Sequence, residues 1–117
     1  MDFQFVHSFC LELGPVTEDC PFGPDVITFR IAGKIFALLS VDESPLAINL
    51  KAEPEQAIAW REKYPAVSPG YHMNKKHWNT VLLDGSVPKK DFLEMIQHSY
   101  QLVVDSLPKK IREDLLH

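Results

Sequence analysis

The chain has 117 residues, 45% of them hydrophobic, which is enough for one compact domain with a single core. A formal net charge of -4 favours solubility and excludes a general attraction to nucleic acid or anionic membranes, so any such attraction must be local. The apolar run over residues 36–41 is too short to span a membrane and no basic leader precedes it, so we expect an unexported, cytoplasmic protein. Cys10 and Cys20 are expected to be reduced thiols, with Cys10 buried.

Hydrophobic periodicity divides the chain into helices and strands. Apolar spacings of three and four residues indicate helices, alternation indicates strands, and glycine and proline mark the ends. In chain order the patterns predict a helix over residues 3–13, strands over 25–31, 35–41 and 46–51, a short helix over 54–64, a second hairpin within 71–83, a long helix ending before Pro108, and a last amphipathic turn or two over 108–116.

The connections follow from turn and capping residues. Ala32-Gly33 is predicted to turn the first hairpin, residues 67–70 are predicted as a turn, and Glu18-Asp19 as part of an acidic loop. Ser86 is the predicted N-cap of the long helix. Together the elements predict an α+β fold, a single domain over residues 1–117. It is an antiparallel sheet meander with an N-terminal helix, a short middle helix and a long C-terminal helix, and one sheet face is more polar than the other.

The segment PGYHMNKKHWNTVLLD, residues 69–84, concentrates two lysines, two histidines and a tryptophan beside a turn. Between residues 71 and 90, four lysines stand against one aspartate, a net charge of +3, whereas the rest of the chain carries -7. The charge is therefore polarised along the sequence, and this segment is the part of the chain best suited to a polyanion.

Several motifs spread over nearly the whole chain belong together. They are PGYHMNKKHWNTV at 69–81, Pro21-Phe22-Gly23, Gly33-Lys34-Ile35-Phe36, Lys51 followed by Pro54-Glu55, and Val87-Pro88. In these motifs the chain resembles the MmcQ/YjbR-like family of small bacterial proteins. The resemblance implies an α+β domain of the CyaY-like type, an antiparallel sheet backed by helices, and a double-wing mode of DNA binding.

The residues themselves support a DNA-binding hypothesis of low sequence specificity. Phosphates require a local positive field with hydrogen-bond donors nearby, and aromatic faces can stack on exposed bases or anchor a partner. Duplex and single-stranded forms both stay open. The candidate contacts are Lys75, Lys76, His72, His77 and Asn79, supported by Lys34 and Lys51, with Tyr71 and Trp78 as stacking or anchor residues.

Each of these residue types also has a purely structural interpretation. Lysines at a hairpin tip often do no more than keep a strand soluble, and a tryptophan that alternates with Thr80 and Leu82 often packs. His72 and His77 are five residues apart with no cysteine nearby, so a metal site would need further ligands, and we predict no metal.

No catalytic constellation is visible, so we predict that the chain is not an enzyme and needs no cofactor. Cys10 has apolar neighbours, and the acids beside Cys20 disfavour a thiolate there. The serines lack a nucleophile-elbow context, and Gly33, Gly70 and Gly85 do not form a phosphate-binding loop.

The alternative function is a protein-interaction module without nucleic-acid binding or catalysis. A sheet face with Tyr71, Trp78, Lys34 and Lys51 offers aromatic and long-stemmed basic anchors for a partner. Frataxin-type iron proteins share the CyaY-like fold and use a strongly acidic first helix, but the acids here are only Asp2 and Glu12. We therefore set iron binding aside and expect a monomer.

Overall fold

The computed structural model describes residues 2–70 and 73–115 as an α+β fold built on a six-stranded antiparallel sheet. The strands lie in the order β1-β2-β3-β4-β6-β5, so the meander of the first four strands is completed by a hairpin inserted in reverse order. The predicted fold class is confirmed. The elements are α1 (Phe3–Leu11), β1 (Val16–Asp19), β2 (Val26–Ile31), β3 (Lys34–Ser40), β4 (Ala47–Lys51), α2 (Pro54–Lys63), β5 (Val67–Pro69), β6 (Trp78–Leu82), α3 (Lys89–Ser106) and α4 (Lys109–Leu115).

The first helix and hairpin form as their patterns predict. The Asp2 side chain caps α1 by accepting a hydrogen bond from the Phe5 amide at 2.9 Å, and Val6 and Cys10 on one face are buried. Ala32 and Gly33 both have positive φ, at 51° and 83°, which suits the tight turn between β2 and β3.

The prediction of an acidic loop at Glu18-Asp19 is wrong, because these residues belong to β1. This four-residue strand pairs with β2. Val16 is its one apolar residue and is half-buried, and the other three residues are exposed. Its charged side chains bind across to neighbouring elements: His7 Nε2 lies 2.5 Å from Glu18 Oε2, and Arg30 Nε donates to Asp19 Oδ1 at 3.1 Å.

The second hairpin exists, but its first strand is earlier than predicted. Residues 67–70 were expected to form a turn, whereas Val67–Pro69 is β5 and pairs with β6. The predicted strand that starts at Tyr71 falls partly on Tyr71 and His72, which lie outside the described residues. The connection that follows them, residues 73–77, contains turns instead of a strand.

Ser86 is not the N-cap of α3. The Ser86 amide and hydroxyl both donate to Asp84 Oδ1, at 2.9 and 2.6 Å, and these bonds lower the pKa of the Asp84 carboxyl. The helix instead begins after Pro88, whose side chain makes no capping hydrogen bond. Its 18 residues end before Pro108 as predicted, and α4 follows. No helix in the described ranges is both long and apolar enough to cross a membrane.

The two sheet faces have different coverings. Cross-strand partners place Phe29, Ala37, Leu50 and Asn79 on the face that packs against the helices. The opposite face, which we call the outer face, carries the row Thr28, Leu38, Asn49 and Thr80. Leu38 is only 6% exposed and Thr28 is fully buried, so connecting loops cover part of this face.

A β-bulge in β3 changes which side chains reach the core. Phe29 pairs with Ala37 but Arg30 pairs with Ile35, which leaves Phe36 as the extra residue. The Phe36 ring is fully buried and stacks on Tyr100 of α3 with ring centroids 5.3 Å apart. The bulge therefore places two successive residues, Phe36 and Ala37, in the helix-side core.

Ser99 of α3 fills the gap that the bulge leaves between β3 and β4. Its hydroxyl donates to the Phe36 carbonyl at 2.5 Å and accepts from the Lys51 amide at 2.9 Å. Phe36 and Lys51 would otherwise be the next pair after Ala37 and Leu50. The Ser99 hydroxyl thus bridges two backbone groups of β3 and β4 that do not bond to each other directly.

Replacing Thr28 with valine is expected to raise the free energy of unfolding by about 1 kcal/mol. The buried Thr28 hydroxyl has no hydrogen-bond partner among the described residues, and valine fills the same volume without a polar group to desolvate. Urea denaturation measures the change. The matched control is Thr80→Val, which should lose about 1 kcal/mol because Thr80 Oγ1 donates to Asn49 Oδ1 at 2.7 Å. Equal losses in both variants would contradict the assignment.

Candidate nucleic-acid interface

Four lysines, which we call the lysine rim, lie at one end of the sheet. The strand register places the start of β3, the end of β4 and the start of β6 together there, since Ala37 pairs with Leu50 and Lys51 pairs with Trp78. The two hairpin tips extend from the same end. The members of the rim are Lys34 at the first tip, Lys51 at the end of β4, and Lys75 and Lys76 in the second tip.

Three lysines of the rim are exposed, and Lys34, Lys51 and Lys76 have no ion pair with a carboxylate among the described residues. Lys34, Lys75 and Lys76 are exposed and Lys51 is half-buried. Ion pairs among the described residues join His7 to Glu18, Arg30 to Asp19 and Lys109 to Glu113, so they leave Lys34, Lys51 and Lys76 without a carboxylate partner. The convergence of cations from separate strands is therefore a property of the fold as well as of the sequence.

Asn74 shapes the second tip. Its backbone carbonyl accepts from the amides of His77 and Trp78, at 3.1 and 2.9 Å, and its side chain accepts from the Lys76 amide at 2.9 Å. The chain enters this tip at Gly70, where an added Cβ would lie 3.0 Å from Cβ of Trp78. A side chain at residue 70 would therefore force Trp78 to shift by a few tenths of an ångström, and glycine avoids that shift.

Arg61 of α2 connects the second tip to the body of the protein. Its Nη2 donates to the carbonyls of Lys75 and Trp78, the latter at 3.4 Å, and its Nε donates to Asn79 Oδ1 at 2.6 Å. The Asn79 amide nitrogen in turn donates to the Ala57 carbonyl at 3.2 Å. The Arg61 guanidinium thus holds the second tip against α2, and it is not counted as part of the lysine rim.

Two of the residues predicted to contact DNA are buried. Asn79 is 2% exposed and its amide is used by Arg61 and Ala57, so it has no free group to read a base. Trp78 is 9% exposed, which favours the packing interpretation over stacking. His77 is half-buried at the tip, and the predicted contacts Tyr71 and His72 lie outside the described residues. The structure therefore places Lys34, Lys51, Lys75, Lys76 and His77 at the same end of the sheet.

A cavity of about 340 Å³ on the outer face was not predicted from the sequence. Two loops form its walls, and three strands form its floor. The side chains that line it come from distant parts of the chain, so no local sequence pattern predicts it. Phe22 at its edge is 63% exposed, which only the structure reveals. The lining residues are Phe22, Val26, Leu38, Ser40, Asn49 and Met73.

The groups considered for metal binding and catalysis are dispersed. In the part of the chain that the structure describes, no three His, Cys, Asp or Glu side chains lie close enough together to hold a metal ion. Burial raises the pKa of the Cys10 thiol to about 12, which disfavours the reactive thiolate, and Cys20 is exposed. Burial also lowers the pKa of His98, whose Nε2 accepts from the Glu53 amide at 3.2 Å.

These features define a single-sheet α+β protein with a basic rim at two hairpin tips. The chain belongs to the YjbR family, whose model matches residues 11–102. The YbdF protein of Escherichia coli O157:H7 is 42% identical over 115 residues, which cover 94% of this chain and 93% of that one. YjbR of Escherichia coli K12 is 37% identical over 87 residues, 74% of each chain. Both relatives are described as uncharacterised.

Solved structures give the same result for the fold. A Deinococcus radiodurans protein with a DUF419 domain superposes with a TM-score of 0.91 at 36% identity, covering 96% of this chain and 86% of that one. A crystal structure of a Pseudomonas syringae protein gives 0.76 at 34% identity, with 87% and 98% covered. The family resemblance and the α+β class inferred from the sequence are thereby confirmed.

Proposed function

We propose that the protein binds duplex DNA with low sequence specificity through the lysine rim. The observation that carries the proposal is the convergence of Lys34, Lys51, Lys75 and Lys76 at one end of the sheet despite a net charge of -4. Phosphate contacts by lysine supply most of the affinity of sequence-independent DNA binding. No catalytic step or cofactor is part of the proposal.

The spacing of the two hairpin tips fits a double-wing arrangement. Three inter-strand steps separate the β2–β3 hairpin from the β6–β5 hairpin in the sheet order. At about 4.8 Å per step the tips lie about 14 Å apart, close to the roughly 12 Å width of a DNA major groove. Lys51 stands between them, so the two tips could contact phosphates on either side of a groove.

Low sequence specificity follows from the groups that remain available. The Asn79 amide is bound internally, and Asn74 Oδ1 accepts from the Lys76 amide. Reading a base edge requires such polar groups to be free and directed outward, whereas a phosphate requires only a nearby positive charge. The rim thus favours the phosphate backbone over the bases.

Replacing Lys75 and Lys76 together with alanine is expected to weaken duplex binding about tenfold at low salt and to reduce the salt slope by about 2. The loss should be similar for unrelated sequences, because phosphates are common to all of them. Fluorescence anisotropy with labelled duplexes at several salt concentrations measures both quantities. The Lys75 carbonyl that binds Arg61 survives in the variant, so the fold of the tip is retained.

The matched control is Lys89→Ala/Lys90→Ala, which removes the same charge from an exposed pair. These lysines begin α3, shortly after β6 has run to the opposite end of the sheet, and should leave affinity within about twofold. Equal losses in both variants would indicate a net-charge effect and contradict the rim. If wild-type protein binds neither duplex nor single strands while a pull-down recovers one protein stoichiometrically, the interaction module replaces DNA binding.

A further inference from the structure

We propose that the outer-face cavity binds a small carboxylic acid with an apolar body, such as a monocyclic aryl acid or a branched short-chain acid. The volume of about 340 Å³ lies at the lower end of the range for small-molecule sites. The cavity lies on the outer face, over the part of β2, β3 and β4 that is farther from the hairpin tips than the lysine rim. Binding of a ligand in the cavity does not depend on DNA binding.

The apolar part of the ligand follows from the walls. Val26 and Leu38 form the floor, and Phe22 and Met73 approach from two different loops. Phe22 is 63% exposed, although an aromatic ring of this size gains free energy when it is covered. A ring or branched chain in the cavity would bury Phe22 and would be held by the flexible thioether of Met73.

The polar part follows from Asn49. Its Oδ1 accepts from Thr80 Oγ1 at 2.7 Å, so the side-chain group left to face the cavity is the NH₂ donor, which binds none of the described residues. Ser40 adds a hydroxyl at the cavity wall. The complementary ligand group is therefore a hydrogen-bond acceptor.

Lys51 is not a lining residue of the cavity, but its position on β4 favours a negatively charged acceptor. It follows Asn49 by two residues on β4 and therefore lies on the same face, about 7 Å along the strand. Its flexible four-carbon stem is long enough to bring the ammonium group to the cavity mouth. Asp19, an acid on the same face of the sheet, is paired with Arg30. A carboxylate satisfies Asn49 and Lys51 together.

Titration of the full chain with phenylacetate, benzoate and 3-methylbutanoate, followed by amide chemical shifts, tests the proposal. We expect at least one acid to bind saturably and to shift the amides of Leu38, Asn49 and Met73. Phenylacetamide, which has the same body without the charge, should bind at least tenfold more weakly. Acetate, which has the charge without the body, should not bind measurably.

Three variants locate the site. Ser40→Leu fills the cavity and should abolish binding, and Lys51→Gln should weaken the acids at least tenfold while leaving phenylacetamide unchanged. Phe22→Ser removes an exposed wall without touching the core, so it should weaken binding severalfold in a protein of unchanged stability. This variant keeps the test decisive if Ser40→Leu folds poorly.

Three results would overturn the inference. One is the absence of saturable shifts with all three acids, and another is equal affinity for phenylacetate and phenylacetamide. The third is a set of shifts confined to the larger groove of about 820 Å³ beside α3 and α4. None of these results bears on the anisotropy measurements with DNA, so the two proposals stand or fall separately.

Discussion

Replacing Ser99 with alanine is expected to lower the free energy of unfolding by about 3 kcal/mol. The serine hydroxyl is fully buried and binds both the Phe36 carbonyl and the Lys51 amide. Alanine leaves the buried Phe36 carbonyl and the part-buried Lys51 amide without a partner, and each such group costs about 1–3 kcal/mol. Urea unfolding monitored by tryptophan fluorescence measures the loss.

The control for Ser99 lies on the same helix. Ser106 Oγ donates to the Val103 carbonyl within α3, and Ser106 itself is exposed, so Ser106→Ala should change stability by no more than about 0.5 kcal/mol. A Ser99→Ala variant as stable as Ser106→Ala would mean that the β3–β4 ladder closes without the serine. Ser99→Ala should also increase hydrogen exchange at the Lys51 amide, a readout that Ser106→Ala should not change.

Arg61→Ala is expected to destabilise the protein by about 2–3 kcal/mol and to loosen the second hairpin tip. The variant removes hydrogen bonds to Asn79, Lys75 and Trp78, and Asn79 Oδ1 stays buried without its donor. Denaturant unfolding measures the first effect. Faster exchange of the His77 and Trp78 amides, both of which bind the Asn74 carbonyl, measures the second.

Arg30→Ala is the matched control because it removes the same side chain from a contact at the first hairpin instead of the second. Arg30 binds Asp19 and the Gly33 carbonyl, each at 3.1 Å, in an exposed setting. Its loss should cost about 1 kcal/mol or less and leave exchange at His77 and Trp78 unchanged. Unchanged exchange in Arg61→Ala as well would show that the tip is held by its own turn alone.

The elements predicted correctly are those whose signals are local. The first helix, the β2–β3 hairpin, β4 and the long α3 each have several apolar residues at the required period, whereas α2 is marked by Pro54 at its first position and by Pro65 after its end. The strands β1 and β5 were missed because they have four and three residues, and their pairing partners lie elsewhere in the chain. The β3 bulge escaped for a similar reason, since only the register with β2 reveals it.

The sequence predicted the charged residues of the candidate site but not how the fold arranges them. The lysine pair at residues 75–76 is conspicuous in the sequence, and its proximity to Lys34 and Lys51 emerges from strand order. Burial of Asn79 depends on Arg61 of another element. The outer-face cavity depends on how two loops fold over the sheet, which no periodicity encodes.

The margins of the sheet restrict how another chain can join it. On one margin β1 has four residues and carries Glu18 and Asp19, and on the other β5 has three residues and ends in Pro69, which has no amide hydrogen to donate. Neither margin offers the long row of unpaired backbone groups that an incoming strand needs. Intermolecular β-sheet growth is therefore disfavoured at both margins, and a partner is more readily accommodated on a face of the sheet than along its edge.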